Sequence, residues 1–480
     1  MDHSRAPVLE AIESYRRAGG LAFTPPGHKQ GRGADPRVLH LLGRDAFASD
    51  LLTLNGLDDR RMSRGVLADA QELMADAVGA EHTFFSTCGS SLSVKSAMLA
   101  VAGPGERLLV SRNAHKSVVA GLVISGVHPV WVRPRYDAER HLAHPPGPEE
   151  VRTALAGSPE AKGMLLITPT DYGTCADIRG VARECHAAGK PLIVDEAWGA
   201  HYPFHDDLPT WAMDGDADLC VTSTHKMGGG LEQASVFHLQ GHRVSPDVLK
   251  AREDLLGTTS TSALLFASLD GWRRQMVEYG EELLGKALSL AARVREEIDA
   301  TPGLHTMAAE FRPLAFEHDP LKIVIDVAGL GISGYQAADW LAEQHLHTGL
   351  SDHRRIAVQI THADDDDTVT ALLTGLRGLR NHNFTRRPPV DLPSAADLTL
   401  EMRMLPRDAF FAEAEHVPLA KAVGRVAAEM ISPYPPGVPA IAPGEVFTDA
   451  IVDYLDSGVR AGMFIYDAAD PGLDTVRVVT

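Results

Sequence analysis

The chain contains few cysteines and no long hydrophobic run. Four of its 480 residues are cysteine, and none stands in a paired spacing: Cys88, Cys175, Cys185 and Cys220. This pattern fits neither a disulfide framework nor a zinc site, so we expect buried thiols in a reducing, cytoplasmic compartment. No stretch reaches the roughly 18 uninterrupted apolar residues of a membrane span. Residues 1–20 are typical of a short amphipathic helix rather than a signal peptide, and we expect no membrane contact.

Basic residues are also scarce. Lysine and arginine number 45 against 64 aspartates and glutamates, which gives a formal net charge of −19 with histidine neutral. A general nucleic-acid binder needs clustered positive charge to hold phosphates, so this composition excludes that class. The surplus of acidic residues favours attraction of a cationic substrate, but it is also typical of proteins whose charge serves solubility alone.

The rest of the composition is that of a folded protein with more than one domain. Hydrophobic residues make up 44% of the chain and charged residues 23%, and a chain of this length suits two or three packed units. We predict an N-terminal segment at 1–50, a large domain at 51–300, a small α/β domain at 301–385, and a linker with a C-terminal domain at 386–480.

Short apolar runs alternate with helical patterns between about residues 60 and 240. The predicted strands are His82–Ser86, Arg107–Ser111, Pro129–Val132, Gly163–Thr168, Pro191–Asp195 and Leu219–Ser223. The predicted helices are Ser91–Val101, Lys116–Ser125, Pro148–Ala156 and Ile178–Ala188. Strict alternation of strand and helix predicts an α/β fold with a mostly parallel sheet covered on both faces. Ligands of such sheets bind beyond the carboxyl ends of the strands.

The second half of the chain contains further α/β elements. After a long helical region at Ser262–Ala300, strands and helices alternate at Lys322–Val327, Gly334–Gln344, Ile356–Thr361 and Thr368–Leu379. The proline-rich stretch Arg386–Pro393 predicts a linker, followed by a helix around Val417–Glu429 and a turn run at Pro433–Gly437. The acidic run Asp364–Asp367 suggests a metal site at first sight, but carboxylates also favour the start of a helix, and we predict no metal.

Chemically useful side chains follow two of the predicted strands. Lys226 comes just after Leu219–Ser223 in the sequence STHKMGGG, and Asp195 ends the strand Pro191–Asp195. Pyridoxal 5′-phosphate (PLP) requires a lysine that bonds to its aldehyde, an anion beside its pyridine nitrogen, a phosphate cradle and a group that holds the ring face. The 31 residues between Asp195 and Lys226 (226 − 195) fit one crossover between neighbouring strand ends. The pair favours PLP binding, although an exposed loop lysine and a capping carboxylate remain open alternatives.

Two other strand ends offer a phosphate cradle and a ring contact. The Gly-Ser-Ser turn at 89–91 follows the first predicted strand and opens a helix, where backbone N–H groups and hydroxyls favour an anion. An ordinary helix cap explains these serines equally well. His115 follows the strand that ends at Ser111, and a role against the PLP ring competes there with that of a plain surface histidine.

Taken together, these motifs resemble those of the Orn/Lys/Arg decarboxylases, PLP enzymes of the aspartate-aminotransferase (type I) fold. The likeness covers most of the chain. It runs in the family's order through TPPGHKQG (24–31), FFSTCGSS (84–91), RNAHKS (112–117), TPTDYG (168–173), DEAW (195–198), STHK (223–226), ASLD (267–270), SPYPPGVP (432–439) and PGE (443–445).

The resemblance implies a role for each matching residue. The implied catalytic residues are Lys226, which bonds to PLP, Asp195 at the pyridine nitrogen, and His115 against the ring. The implied cofactor-binding residues are Gly89, Ser90, Ser91, His115, Thr170, Asp195, Ala197, Ser223, His225 and Lys226. The implied substrate contacts are Trp198, Thr259 and Glu445, the last for the cationic end of the substrate. Family members build the site at a dimer interface, so the resemblance implies a homodimer or larger assembly in which the Thr258–Ser262 hydroxyls reach the partner's phosphate.

The implied reaction is α-decarboxylation of a basic amino acid, with arginine favoured over lysine and ornithine. The sequence departs from the family pattern at the second proline before Gly27, at Met227 with its three following glycines, and at residues 258–263, which lack the usual proline and tyrosine. Since these departures lie near the substrate, transamination, elimination and oxidative deamination remain alternatives, and a non-enzymatic PLP sensor is a remote one. The chain reaches the core motifs by residue 24, so we expect the short form without the N-terminal wing domain.

Overall fold

The computed structural model describes residues 1–57, 65–312, 314–434 and 437–480. These form two compact units: unit 1 comprises Met1–Ala100 and Ile193–Leu283, and unit 2 comprises Val101–Leu192 and Leu284–Thr480. Pro435 and Pro436, which belong to the turn run predicted at 433–437, lie outside the described residues. The four-segment domain division made from the sequence stays a prediction.

The elements confirm an α/β protein. The helices are α1 Pro7–Ala18, α2 Pro36–Leu42, α3 Arg44–Ser49, α4 Val66–Ala77, α5 Gly89–Val101, α6 Lys116–Ser125, α7 Pro148–Gly157, α8 Ile178–Ala187, α9 Thr224–Met227, α10 Pro246–Leu256, α11 Ala263–Asp299, α12 Gly334–Glu343, α13 Asp366–Leu379, α14 Pro406–Phe411 and α15 Asp449–Ala461. The strands are β1 His82–Ser86, β2 Arg107–Ser111, β3 His128–Val132, β4 Arg135–Asp137, β5 Leu142–His144, β6 Met164–Ile167, β7 Thr174–Cys175, β8 Leu192–Asp195, β9 Leu219–Ser223, β10 Ser235–Leu239, β11 His305–Met307, β12 Glu317–His318, β13 Lys322–Asp326, β14 Leu350–Ser351, β15 Arg355–Gln359, β16 Ala414–Pro418 and β17 Thr475–Val479.

In unit 1, four strands pair in the order β1-β10-β9-β8. β8 and β9 run parallel, whereas β10 is antiparallel to both β9 and β1. The register aligns Ser86, Ser235 and Ser223 across β1, β10 and β9. Because β9 and β10 are buried along their whole lengths, the polar groups that must reach a ligand come where the strands end.

In unit 2, β2 lies between β3 and β6, and all three run parallel. A separate antiparallel sheet has the order β11-β13-β15-β14, and β16 pairs with β17. The C-terminal part of unit 2 has its own apolar core, in which Ile451 and Leu455 of α15 pack with Val476 of β17. No helix among the described residues is both long and apolar enough to cross a membrane.

Most predicted elements are confirmed within one or two residues, but two predictions are wrong. The helix expected around Val417–Glu429 is absent from these described residues. Val417 lies in β16, Pro418 ends that strand, and Gly424 adopts a φ of +80°, which a helix does not allow. Strict strand–helix alternation also fails after β9. A single turn, α9, leads there into the antiparallel strand β10, which the sequence did not predict. The acidic run is confirmed as a helix start, because Asp365 caps α13.

A buried ion pair holds the N-terminal helix within unit 1. Asp270 and Arg273 on α11 are both fully buried, and Nη2 of Arg273 donates to Asp270 Oδ1 at 2.8 Å. The other carboxylate oxygen accepts the backbone N–H of Val8 at 2.8 Å, while Nη1 of Arg273 donates to the carbonyl of His3 at 2.9 Å. The pair therefore satisfies one of the N–H groups that α1 leaves unpaired at its start, that of Val8, and also a carbonyl of the segment that precedes the helix.

Arg273→Met should destabilise the protein by about 3–5 kcal/mol, because it leaves the Asp270 charge buried without its partner. Arg460→Met is the control, since Arg460 forms an exposed pair with Asp456 and should change stability by less than about 0.5 kcal/mol. Urea unfolding of both variants gives the two free energies. Equal values for the two variants would contradict the anchoring role of Arg273.

Candidate active site

Two parallel strands of unit 1 bring Asp195 and Ser223 to the same edge. Asp195 is the last residue of β8 and Ser223 the last of β9, and the register pairs Asp195 with Val221. Asp195 is only 6% exposed, and its Oδ1 accepts the backbone N–H of Ala197 at 3.3 Å. The carbonyl of Ala197 in turn accepts the N–H of Ser223 at 3.3 Å. The turn after β8 is thus fastened to the end of β9, with a buried carboxyl group beside it.

Lys226 lies three residues after the end of β9. It lies on α9 and is half-buried. Its Nζ lies 4.3 Å from the centre of the Trp198 ring. An ammonium group over an indole face is stabilised by the negative charge of the π-system. Lys226 and Trp198, predicted as the cofactor lysine and a substrate contact, therefore contact each other.

A cluster of hydroxyl groups occupies the start of α5. Ser223 Oγ donates to Ser90 Oγ at 2.5 Å, and Ser93 Oγ lies 3.0 Å from Ser235 Oγ. Gly89 has a φ of +74°, and the position where a side chain would begin meets nothing within 4 Å. The open space, the hydroxyls and the N–H groups of the first helical turn together suit an anion such as a phosphate. Ser91 belongs to the same turn and is exposed.

His225 is oriented by a backbone contact. Its Nδ1 lies 3.0 Å from the carbonyl oxygen of Ala234. Because a carbonyl only accepts, Nδ1 carries the proton of this hydrogen bond. Nε2 then lies on the far side of the ring, where it approaches Glu232 at 3.6 Å.

The glycine run after Lys226 has a packing role that the sequence did not reveal. At Gly228 a Cβ atom would lie 2.7 Å from both the carbonyl oxygen of Thr224 and the ring of Trp272. Gly228 is therefore required by the tight fit of α9 against Trp272.

Glu196 is a buried acid that sequence reasoning missed. Its Oε2 accepts the N–H of Ala212 at 3.3 Å and the thiol of Cys220 at 3.4 Å. Burial raises the pKa of the Glu196 carboxyl well above its ordinary value, and burial likewise raises the pKa of the Cys220 thiol. Burial therefore favours the neutral form of Glu196, directly after Asp195. The only sequence signal was its place after a buried strand.

Unit 2 carries the other predicted cofactor residues, His115 and Thr170, at the ends of neighbouring parallel strands. His115 caps α6, and its Nδ1 accepts the N–H of Ser117 at 3.2 Å and lies 2.9 Å from the Ser117 hydroxyl. Thr170 follows β6 and is buried, with its hydroxyl 2.7 Å from that of Thr174. A cavity of about 210 Å³ lies between these strand ends, lined by residues that include Asn113 and Thr170.

Glu445 has a partner within the protein. Its carboxylate accepts from Nε and Nη2 of Arg112 at 3.2 and 2.9 Å, and from the N–H of Ala442 at 2.8 Å. The Glu445 side chain is 1% exposed and that of Arg112 is 14% exposed. Glu445 does not cap α15, whose cap is Thr448. A substrate cation would have to replace Arg112, so the predicted substrate contact has no support in this geometry.

Thr259 lies in the connection between α10 and α11 and is exposed together with Thr258 and Ser260. Its two implied roles, as a substrate contact and as one of the hydroxyls that reach a partner's phosphate, stay predictions.

Two family models match the chain. They are described as the Orn/Lys/Arg decarboxylase major domain, matching residues 6–318, and the Orn/Lys/Arg decarboxylase C-terminal domain, matching residues 393–463. An arginine decarboxylase of Halalkalibacterium halodurans is 38% identical over 99% of this chain and 98% of its own length. An arginine decarboxylase of Bacillus subtilis is 36% identical over 100% of this chain and 99% of its own length.

The fold is similar to a solved structure. The constitutive lysine decarboxylase of Escherichia coli superposes with a TM-score of 0.82 at 21% identity, covering 100% of this chain and 82% of that one. The similarity extends over all of the described elements of both units. At this identity it demonstrates the fold alone.

Glu196→Gln should become relatively more stable than the wild type as pH rises. Because the folded protein keeps Glu196 protonated while the unfolded chain ionises above its ordinary pKa of 4.5, the wild type loses stability as pH increases beyond that value. The glutamine variant lacks this loss. Melting temperatures between pH 5 and about pH 8 measure the difference. The exposed Glu72→Gln serves as control and should change little across the range. A constant difference between Glu196→Gln and wild type would show that Glu196 is ionised in the fold.

Proposed function

The chain belongs to the Orn/Lys/Arg decarboxylase family, and we propose that it decarboxylates arginine with PLP as its cofactor. The observation that carries the proposal is full-length similarity to arginine decarboxylases at 36–38% identity in a chain that retains Lys226 and Asp195 at the carboxyl ends of β9 and β8. Lysine is the next candidate substrate, because relatives at 24–26% identity are named lysine decarboxylases.

The residues of unit 1 fit PLP. The amine of Lys226 would bond to the aldehyde, the carboxyl of Asp195 would meet the pyridine nitrogen, and the hydroxyls of Ser90 and Ser223 would hold the phosphate. Gly89, Ser91, Ala197 and His225 complete the proposed set in this unit. His115 and Thr170 of unit 2 are assigned to the same cofactor by the family resemblance. When bound, PLP accepts the electron pair that remains on Cα as CO₂ leaves.

The chain's own residues have separate tasks in this reaction. Asp195 is buried and accepts the Ala197 N–H; beside the pyridine nitrogen of bound PLP its carboxylate would favour the protonated form of that nitrogen, because an anion favours a neighbouring cation. Trp198 holds the Lys226 ammonium over its ring, so the amine that the substrate displaces stays close and can carry a proton. Two hydroxyls and a helix start fix the phosphate end and thereby the orientation of the ring.

The assembly and location are also proposals. We propose a homodimer or larger assembly in which the 258–262 hydroxyls, of which those of Thr258, Thr259 and Ser260 are exposed, reach a partner subunit. Its support is the exposed apolar surface of the N-terminal segment, where Leu21, Phe23, Leu41 and Leu42 are all more than half exposed. We propose a cytoplasmic location because the four cysteines are thiols. The four-segment domain division is retained as part of the proposal.

A product screen with Lys226→Ala tests the function. Purified protein with PLP should release CO₂ and the corresponding amine from arginine, and more slowly from lysine and ornithine. Lys226→Ala should lose turnover and the visible absorption of lysine-bound PLP that borohydride reduces. Lys250→Ala removes a surface lysine with its own acidic partners and should retain both. Keto-acid, ammonia or peroxide in place of CO₂ would assign the chain to another PLP reaction.

Asp195→Asn should retain bound PLP but lose at least roughly a hundredfold in kcat, because an amide cannot hold the pyridine nitrogen protonated. The exposed Asp207→Asn is the control for removing one carboxylate and should act as the wild type. Steady-state rates with arginine measure the effect. Activity of Asp195→Asn within about threefold of wild type would reject the assigned role.

A further inference from the structure

The loop that carries His115 is fastened to a C-terminal segment of the same unit. This loop, residues 112–115, joins β2 to α6. Residues 437–445, which we call the anchor segment, approach this loop and the adjoining first residue of α6 at three places. These are the side chain of Arg112, the backbone of Lys116 and the His115 ring. The two stretches are separated by more than 300 positions in the chain, so the contact is a product of the fold alone.

The first contact is a buried ion pair between Arg112 and Glu445, with a hydrogen bond from Arg112 to the backbone of Pro439. Arg112 donates two hydrogen bonds to Glu445 at 3.2 and 2.9 Å, and its Nη1 donates to the carbonyl of Pro439 at 2.9 Å. The guanidinium also lies over the Trp131 ring, 5.2 Å from its centre. Two parallel hydrogen bonds fix the orientation of the Arg112 side chain as well as its distance from Glu445, because the guanidinium and the carboxylate must be coplanar.

The second contact is at the start of α6. The backbone N–H of Lys116 donates to the carbonyl of Gly437 at 2.9 Å. The Lys116 ammonium lies 5.0 Å from the centre of the Tyr434 ring and 4.1 Å from that of Tyr466. The N–H of Lys116, one of the groups that a helix start leaves without a partner in the helix, is therefore bound by the anchor segment instead of by a side-chain cap.

The third contact is with His115 itself. A Cβ atom at Gly437 would lie 3.1 Å from both Cδ2 and Nε2 of the His115 ring. Gly437 has a φ of +83°, so both the space and the backbone conformation favour glycine. On its other edge the His115 ring is held by Ser117 through Nδ1. The ring is therefore confined between Ser117 and Gly437.

We propose that the anchor segment is a positioning element for His115, with Gly437 setting the place of the ring and the Arg112–Glu445 pair setting the place of the loop. The inference rests on the proposed function, which gives His115 its role against PLP. It also assigns Glu445 a different task from the substrate contact expected from the resemblance: Glu445 acts through Arg112 on the loop.

Gly437→Ala tests this role, and Gly424→Ala is its matched control. Gly424 lies in the same unit with a φ of +80°, but an added methyl group there meets nothing within 4 Å. The two variants carry similar backbone strain, whereas only Gly437→Ala crowds the His115 ring, together with the Tyr434 ring, of which Cδ2 would also lie 3.1 Å from the added atom. The readouts are the visible circular dichroism of bound PLP without substrate, the rate of PLP dissociation, and kcat with arginine.

Gly437→Ala should change the dichroism band, release PLP about tenfold faster and lower kcat about tenfold, because small displacements of a catalytic group have large effects. Gly424→Ala should match the wild type within about twofold in all three readouts. In a His115→Ala background, Gly437→Ala should change PLP dissociation by no more than about twofold, since its effect passes through the ring that is missing.

Glu445→Gln provides a second variant, which separates positioning from substrate contact. Positioning predicts an altered dichroism band in the absence of any amino acid. Substrate contact predicts an unchanged band and a raised KM for arginine, and this result would overturn the role assigned to Glu445.

The remaining outcomes distinguish the inference from the function. If the wild type decarboxylates arginine while Gly437→Ala behaves as Gly424→Ala does, the positioning role is wrong and the proposed function stands. If the wild type releases no CO₂ from any basic amino acid, the proposed function is wrong, and the dichroism band and the rate of PLP dissociation still decide the positioning role.

Discussion

The burial of parallel strands is the constraint on which the candidate site depends. β6 and β8 are buried, and all of their residues are apolar except Asp195, the last residue of β8. A hydroxyl or carboxylate inside such a strand would lose its hydration at a cost of several kcal/mol. Asp195 and Thr170 therefore come where these strands end, and Ser223 ends β9. There the polar groups meet turns, helix starts and one another. In each unit, the candidate site residues therefore lie at the strand ends, because polar groups can be accommodated there.

This constraint explains how much could be predicted from the sequence. The positions of Asp195, Ser223 and Lys226 at or just after strand ends could be predicted, because a continuous apolar run indicates a buried strand and its end. β10 was missed because Ser235 and His238 interrupt its apolar pattern; the structure satisfies both through partners on other strands and helices. The Val417–Glu429 helix was wrong because helical periodicity competes with pairing to β17, a partner that lies some sixty residues further along the chain.

Asp195 and Glu196 are adjacent carboxylic acids whose different surroundings give them different properties. Asp195 lies at the strand end, with a backbone N–H on one oxygen. Glu196, the next residue, has its carboxyl fully buried beside the thiol of Cys220, and burial raises its pKa. Because burial favours the neutral form of Glu196, it opposes a second negative charge next to Asp195. A sequence motif of two acids does not contain this distinction.

The Arg112–Glu445 pair joins parts of the chain that the two family models treat separately. Arg112 belongs to the stretch matched by the major-domain model and Glu445 to the stretch matched by the C-terminal model. Breaking a buried pair leaves one charge without compensation, which costs far more than losing an exposed pair. The loop 112–115 and the anchor segment therefore stabilise each other, and a change in either segment affects the other. Because His115 lies on that loop, the proposed positioning role would let the C-terminal part of unit 2 act on His115 through this contact, without touching the substrate.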